Sequence, residues 1–396
     1  MLRSLELLQN GIISSRSFQY AITTDRLFDL ELSNHCKLQE QYSGGINCLD
    51  IDRVEERFLL SGSKDGSVCI HDLQNDTGRF CHTSNIVCRV RRQSRYAHKY
   101  SVETVQWHPF DTGLFTSSGM DCVLKIWDTN SLKPADKIHL GHKIFSHNVS
   151  FIATHSLIAA AMHHPHVLLI DPISGAKSHE LRAHRGHVTC VRWSPLAEHL
   201  LATGGTDNKI FLWDIRSAKG HLSTFDQHNG VKVSGKKDVV TAHNGIVNCI
   251  RFTDDGLYMM SYGTDSRIRL WDVATCCNTY VNFGLVANNH EFRQRGVAIS
   301  CDSNPPTVFV PSSNYIYAYD LFTGLKLRAL VGHYSFVNSC AYRSTTHQLY
   351  TAGSDMNILL WTPDVERELL EDSALGRPID RQRSSPIHSD NWSDDD

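Results

Sequence analysis

This sequence predicts an all-β ring of seven four-stranded blades, and three observations carry the prediction. The stretch GTDNKIFLWDIR, Gly205 to Arg216, reads as a turn and a strand. Asp207 and Asn208 bond back to local backbone and tolerate left-handed geometry, while Ile210 to Trp213 form the unbroken apolar run of a strand covered on both faces. The phrase then returns along the chain, each time with an Asp six positions before a Trp or His: Asp65 and His71, Asp121 and Trp127, Asp207 and Trp213, Asp265 and Trp271, Asp355 and Trp361. Finally, the units recur at roughly 40–45 residues with room for four short strands each, the period of a propeller blade.

Taken in order, residues 1–25 stand apart as a helical segment. Leu2, Leu5, Leu8 and Ile12 recur at helical spacing and make one apolar stripe, and a second short helical piece runs through Phe18 to Ile22. Helices this short do not fold alone and must dock on something. From Arg26 to Leu32 the pattern changes: Phe28, Leu30 and Leu32 alternate with Asp29 and Glu31, which predicts a half-exposed strand that completes the last blade.

The propeller then occupies residues 26–364. Its units are Gly45–Leu73, Lys99–Asp128, Gly141–Gly175, Ala183–Arg216, Ala242–Asp272, Val297–Gly324 and Gly332–Asp364. The third and sixth keep the strand pattern but lack the Trp. Asp226–Thr241 and Asn278–Gly296 are inserts between units. Residues 365–396 are charged, end in Asp394-Asp395-Asp396, and predict a disordered acidic tail.

Within the full units, polar residues recur as sets: an opening His, a Ser or Thr in the second strand, the turn Asp and the Trp. These are His187 (or His184), Thr203, Asp207 and Trp213; His243, Ser261, Asp265 and Trp271; and His333, Thr351, Asp355 and Trp361. Buried polar groups need partners, so each set is expected to form a hydrogen-bonded tetrad. His, Asp and Ser look catalytic in isolation, yet their recurrence from unit to unit marks them as scaffold.

Composition narrows the function. The chain has 39 basic against 42 acidic side chains, a net of -3, so it carries no broad positive field for nucleic acid. Its twelve cysteines form no CxxC pair, which reads as reduced, buried thiols in an intracellular compartment. His163, His164 and His166 cluster without partner ligands at standard spacing, so no metal is expected. No apolar run approaches the roughly 20 residues that span a bilayer. Phosphate-loop, zincin, nucleophile-elbow and dinucleotide motifs are all missing, and no cofactor is expected. A non-catalytic platform for protein partners is the reading that remains. Its rival, a direct reader of damaged DNA, would use Arg89, Arg91, Arg92 and Arg95 with Lys232, Lys236 and Lys237.

The Trp-Asp pairs at 127–128, 213–214 and 271–272 resemble WD40 repeats. Ser101–Ser118, Asp226–Gly230, Thr241–Leu257 and Gly332–Cys340 further resemble a family of WD40 substrate receptors of cullin-4 RING ubiquitin ligases. That resemblance implies a nuclear subunit that docks on the damaged-DNA-binding adaptor protein and, through it, on a cullin-4 RING complex. It would present repair factors or proteins of the stalled polymerase in transcription-coupled nucleotide excision repair. Such receptors carry a W-D-x-R sequence, here Trp213, Asp214 and Arg216, and insert an N-terminal helical motif into an adaptor groove, here the stripe Leu2, Leu5, Leu8 and Ile12. The alternative for that stripe is packing on the propeller's own face, and the alternative for the whole chain is a generic WD40 scaffold.

Overall fold

The computed structural model describes residues 2–33, 36–38, 42–74, 82–84, 86–152, 154–217, 220–231, 240–287 and 294–363. The acidic tail, 365–396, lies outside the described residues, as do Lys232, Lys236 and Lys237.

Among the described residues the chain forms seven four-stranded sheets, each a blade with antiparallel neighbours. The innermost strands are Ile46–Ile51, Val102–Trp107, Ile144–Val149, Val188–Trp193, Val247–Phe252, Ala298–Ser300 and Val337–Arg343. Side chains on them stitch each blade to the next. Asn47 donates to the Val102 carbonyl at 2.8 Å, Thr104 to that of Phe145 at 3.3 Å, and the Trp193 N–H to Asn148 at 2.7 Å. Backbone bonds join the fifth blade to the sixth (Arg295 N–H to Asn248 C=O, 3.2 Å) and the sixth to the seventh (Cys340 N–H to Gly296 C=O, 2.9 Å). Asn338 closes the ring by donating to the Ile46 carbonyl of the first blade at 2.8 Å.

The core lies between blades. Trp213, Leu201 and Phe211 of the fourth blade pack with Val167 and Leu169 of the third, and Trp271 of the fifth packs with Leu212 of the fourth. Burying one such side chain contributes about 1.5–3 kcal/mol, so the ring is held by many equivalent seams. The described part of the second insert belongs to one of them: Phe283 and Val286 are buried between the fifth and sixth blades.

The chain start differs from expectation in two places. Helix α1 spans Leu2–Gln9 and helix α2 spans Ser15–Phe28. The predicted strand from Arg26 is therefore shortened to Leu30–Leu32, which pairs with Ile358–Pro363 and completes the seventh blade as expected. Helix wins as far as Phe28 because Thr23 and Leu27 fall on one helical face and bury it against the propeller, and the Ser14 hydroxyl caps the helix by accepting the Ser17 N–H at 3.1 Å. Ile12, placed on the stripe by its spacing, lies outside α1. Gly11 takes φ +69, its N–H bonds the Leu8 carbonyl, and the Ile12 N–H bonds that of Leu7. That left-handed glycine stop turns Ile12 away from the helix and leaves it 66% exposed.

Candidate functional site

In an antiparallel blade, the turns from first to second and from third to fourth strand share one end. Those ends make the lower face of the ring. The second-to-third turns and the connections between blades make the upper face.

The recurring polar residues combine the side chains of acid–base and nucleophilic chemistry. In the fourth blade His184 Nδ1 lies 2.9 Å from Asp207, its Nε2 lies 2.8 Å from the Thr203 hydroxyl, and Trp213 Nε1 donates to that hydroxyl at 2.8 Å. His243, Asp265, Ser261 and Trp271 repeat this at 2.9, 2.7 and 2.8 Å. His333, Asp355, Thr351 and Trp361 do so at 2.8, 2.9 and 2.9 Å. A fourth set, His98, Asp121, Ser117 and Trp127, holds the second blade at 2.9, 2.7 and 2.7 Å. The network assigns the tautomer: imidazole Nδ1–H donates to Asp, and the hydroxyl donates to Nε2 while accepting from Trp.

His187 does not belong to these sets. His184 takes the place, four residues before its strand begins, as His98, His243 and His333 also stand. His187 instead stacks on His163 with ring centres 3.6 Å apart. The first blade builds a substitute the sequence did not announce, in which the Tyr42 hydroxyl bonds both Ser61 and His71 Nε2 at 2.7 Å.

Burial would raise the carboxyls of Asp121, Asp207, Asp265 and Asp355, but the His bond and charge and nearby backbone N–H groups outweigh it and hold all four below the usual range. Burial pushes His98 and His243 down. The central hydroxyls, on Ser117, Thr203, Ser261 and Thr351, are fully buried, so a substrate has no path to the one atom in each set that resembles a nucleophile.

The lower face carries the helices. Leu27 and Leu30 join the buried cluster of the sixth and seventh blades. The Asn304 N–H donates to the Thr24 hydroxyl at 2.9 Å, and the Arg328 guanidinium donates to the Phe28 carbonyl. A cavity of about 490 Å³ opens between α2 and the lower turns, lined by Arg16, Tyr20, Thr23, Asp302, Ser344 and His347. Thus α2 rests on the propeller. Helix α1 contacts α2, and its Leu5, Leu7 and Leu8 stay half-exposed. Leu2 lies in α1, with its side chain outside the described residues.

The lower face also carries Arg216, in the third-to-fourth turn of the fourth blade. Its guanidinium grips Asp214 through two bonds, at 3.0 and 2.8 Å, and its side chain is 67% exposed. Asp214 is thereby a positioning group, and its carboxyl is held low first by that bond. Trp213, placed beside them by the motif, is 1% exposed and belongs to the tetrad, so it cannot touch a partner.

The central channel holds a cavity of about 310 Å³ with Asp50, Arg53, Arg192 and Arg251 among its lining. Burial and Arg251 push Arg192 down to about 10. Carboxylates including Glu56, Glu103 and Asp254 line the same space, so the channel is a mixed-charge one. Of the arginines proposed for DNA contact, Arg89 sits within a strand, while Arg91, Arg92 and Arg95 are exposed in the loop that follows it, Arg95 lying over Tyr96 at 4.6 Å. Among the described residues no helix is long and apolar enough to cross a membrane, and the cysteines are free.

The family model described as "WD domain, G-beta repeat" matches residues 33–72, 89–128, 175–214, 235–272 and 324–362. This chain belongs to the WD40-repeat family. The two blades between those matches, the third and the sixth, carry neither Trp nor His at the Trp position of the third strand, where Leu169 and Tyr319 stand. Among known WD40 proteins it is 32% identical to the WD repeat-containing protein ATCSA-1 of Arabidopsis thaliana, with 98% of each chain covered. It is 25% identical to Radiation-sensitive protein 28 of Saccharomyces cerevisiae over 44% of this chain and 38% of that one. It is 28% identical to a Ribosome biogenesis protein WDR12 homologue of Aedes aegypti over 60% of this chain and 52% of that one. The WD40 fold serves most often as a platform for binding partners.

Proposed function

We propose that this WD40 protein is the substrate-recognition subunit of a cullin-4 RING ubiquitin ligase, of the Cockayne syndrome A type, acting in the nucleus in transcription-coupled nucleotide excision repair. The similarity to ATCSA-1 along the whole chain supports the reading. The observation that carries it is on the lower face: α1 holds Leu5, Leu7 and Leu8 half-exposed beside a docked α2, on the face that also presents Arg216. An amphipathic helix held out on a rigid base suits insertion into an apolar groove of the damaged-DNA-binding adaptor. The upper face is left for substrates, which are repair factors or proteins of the stalled polymerase.

In this role no residue does chemistry. The ring supplies proximity, raising the effective concentration of substrate lysines near the charged ubiquitin carrier. The test removes residues 1–22, which leaves Leu27 and the closing strand in place, and measures binding of the purified adaptor. Loss of binding with an unchanged melting temperature is expected. Unchanged affinity would remove the helical segment from the mechanism.

A further inference from the structure

The third blade lacks a tetrad. At the register where Trp213 pairs with Leu201, Leu169 pairs with Ala159, and Ala161 stands where Thr203 does. In place of that polar tie, its upper end gathers histidines from separate segments. His142 comes from the connection entering the blade, His163 and His164 from its second-to-third turn, His166 from the start of the third strand, and His187 from the connection leaving it. The His142 and His164 rings lie 4.5 Å apart, and the His164 and His166 rings 4.6 Å apart. The outer strand adds Glu180, whose Oε1 lies 2.5 Å from His166 Nδ1 while its Oε2 accepts from Arg182 at 2.6 Å. One possible ligand atom from each of His164, His166 and Glu180 lies within 4.8 Å of the other two.

We propose that His164, His166 and Glu180, with His142 as fourth donor, bind a divalent transition-metal ion of the zinc class on the upper face of the third blade. Imidazole nitrogens and one carboxylate oxygen are the donor set such ions prefer, and tetrahedral zinc takes four of them at roughly 2.0–2.2 Å. Chain order hid the site. The three clustered histidines have no ligand at standard sequence spacing, but strand pairing brings Glu180 across from Leu168 and places it beside them. Arg182 engages the second oxygen of Glu180, which orients the first toward the histidines. The ion would join the entering connection and the middle turn, two parts of a blade that a tetrad ties elsewhere in the ring, and would add the outer strand to them. Any coordination position left over would face solvent on the proposed substrate side.

The experiment titrates the purified full chain with Zn²⁺ alone by calorimetry, and with Co²⁺ by visible absorption. Wild type is expected to bind one equivalent with a Kd below about 1 µM, within the range that structural zinc sites exceed easily, and to show Co²⁺ bands without thiolate charge transfer. Loss of an outer-shell partner alone weakens a metal site by roughly 10–100-fold, so His164→Ala and Glu180→Gln should each weaken this one by at least that much. His179→Ala, next to Glu180 on the same strand, should leave it unchanged. Zn²⁺ should also raise the melting temperature of wild type and not of His164→Ala. The proposal is overturned if no saturable equivalent appears, if thiolate bands dominate, or if His179→Ala weakens binding as much as the two ligand variants do.

Discussion

Replacing Thr203 by Val keeps the shape of the side chain and deletes one oxygen. That oxygen accepts from Trp213 Nε1 and bonds His184 Nε2, both at 2.8 Å, in a site where Thr203 is wholly inaccessible. The substitution opens little cavity, so the cost is that of two buried polar groups left without partners. Each costs about 1–3 kcal/mol, which gives roughly 2–6 kcal/mol in total. Urea unfolding at constant m reads this as a lowered midpoint. The tetrad makes a second demand: Trp213→Phe deletes the other end of one of those bonds, so the double variant should lose less than the two single losses combined, by about 1 kcal/mol or more. A Thr203→Val cost under about 0.5 kcal/mol, the ordinary level for a surface substitution, would refute the view that these sets are structural ties.

Further outcomes follow from the same geometry. His147 is wholly buried between the hydroxyls of Thr116 and Ser118, and burial pushes it down to about 3. A depressed histidine contributes stability that is present above its unfolded value of about 6.5 and is lost as pH falls toward the folded value. Unfolding midpoints should therefore decline below about pH 6.5, and less steeply in a folded His147→Gln variant. The depressed tetrad carboxyls add a second loss, beginning below their unfolded value of about 3.9. On the lower face, Arg216→Ala should weaken adaptor binding roughly tenfold, the value of one good charge-assisted bond, with no change in melting temperature, as measured by surface plasmon resonance.

Much of this architecture was readable because a blade repeats its chemistry. The Asp-to-Trp interval marks the third strand wherever Trp is present, and the apolar alternation places the others. The choice of His187 over His184 failed where two histidines share the segment AHRGH. The other blades held the answer: His98 and Ser117 are 19 residues apart, and His243 and Ser261, like His333 and Thr351, are 18. His184 and Thr203 fit at 19. The extent of α2 was hidden because Phe28, Leu30 and Leu32 alternate like a strand, and only docking of Leu27 against the sixth and seventh blades decides for helix. Ile12 was misplaced by counting through Gly11, whose left-handed backbone ends the helix. The Tyr42 substitute and the Glu180 contact depend on strand pairing, which no local spacing records.

The most direct test separates support from binding in one pair of variants. Leu5→Glu with Leu8→Glu removes two apolar contacts of about 1.5–3 kcal/mol each from the proposed interface and touches no propeller seam. Adaptor affinity should fall about a hundredfold or more while the unfolding midpoint stays at the wild-type value. Thr203→Val, measured at a temperature where it remains folded, should do the reverse, keeping its affinity and losing stability. If the leucine variant instead binds the adaptor as tightly as wild type does, the lower-face helix is not what holds this ring to its ligase.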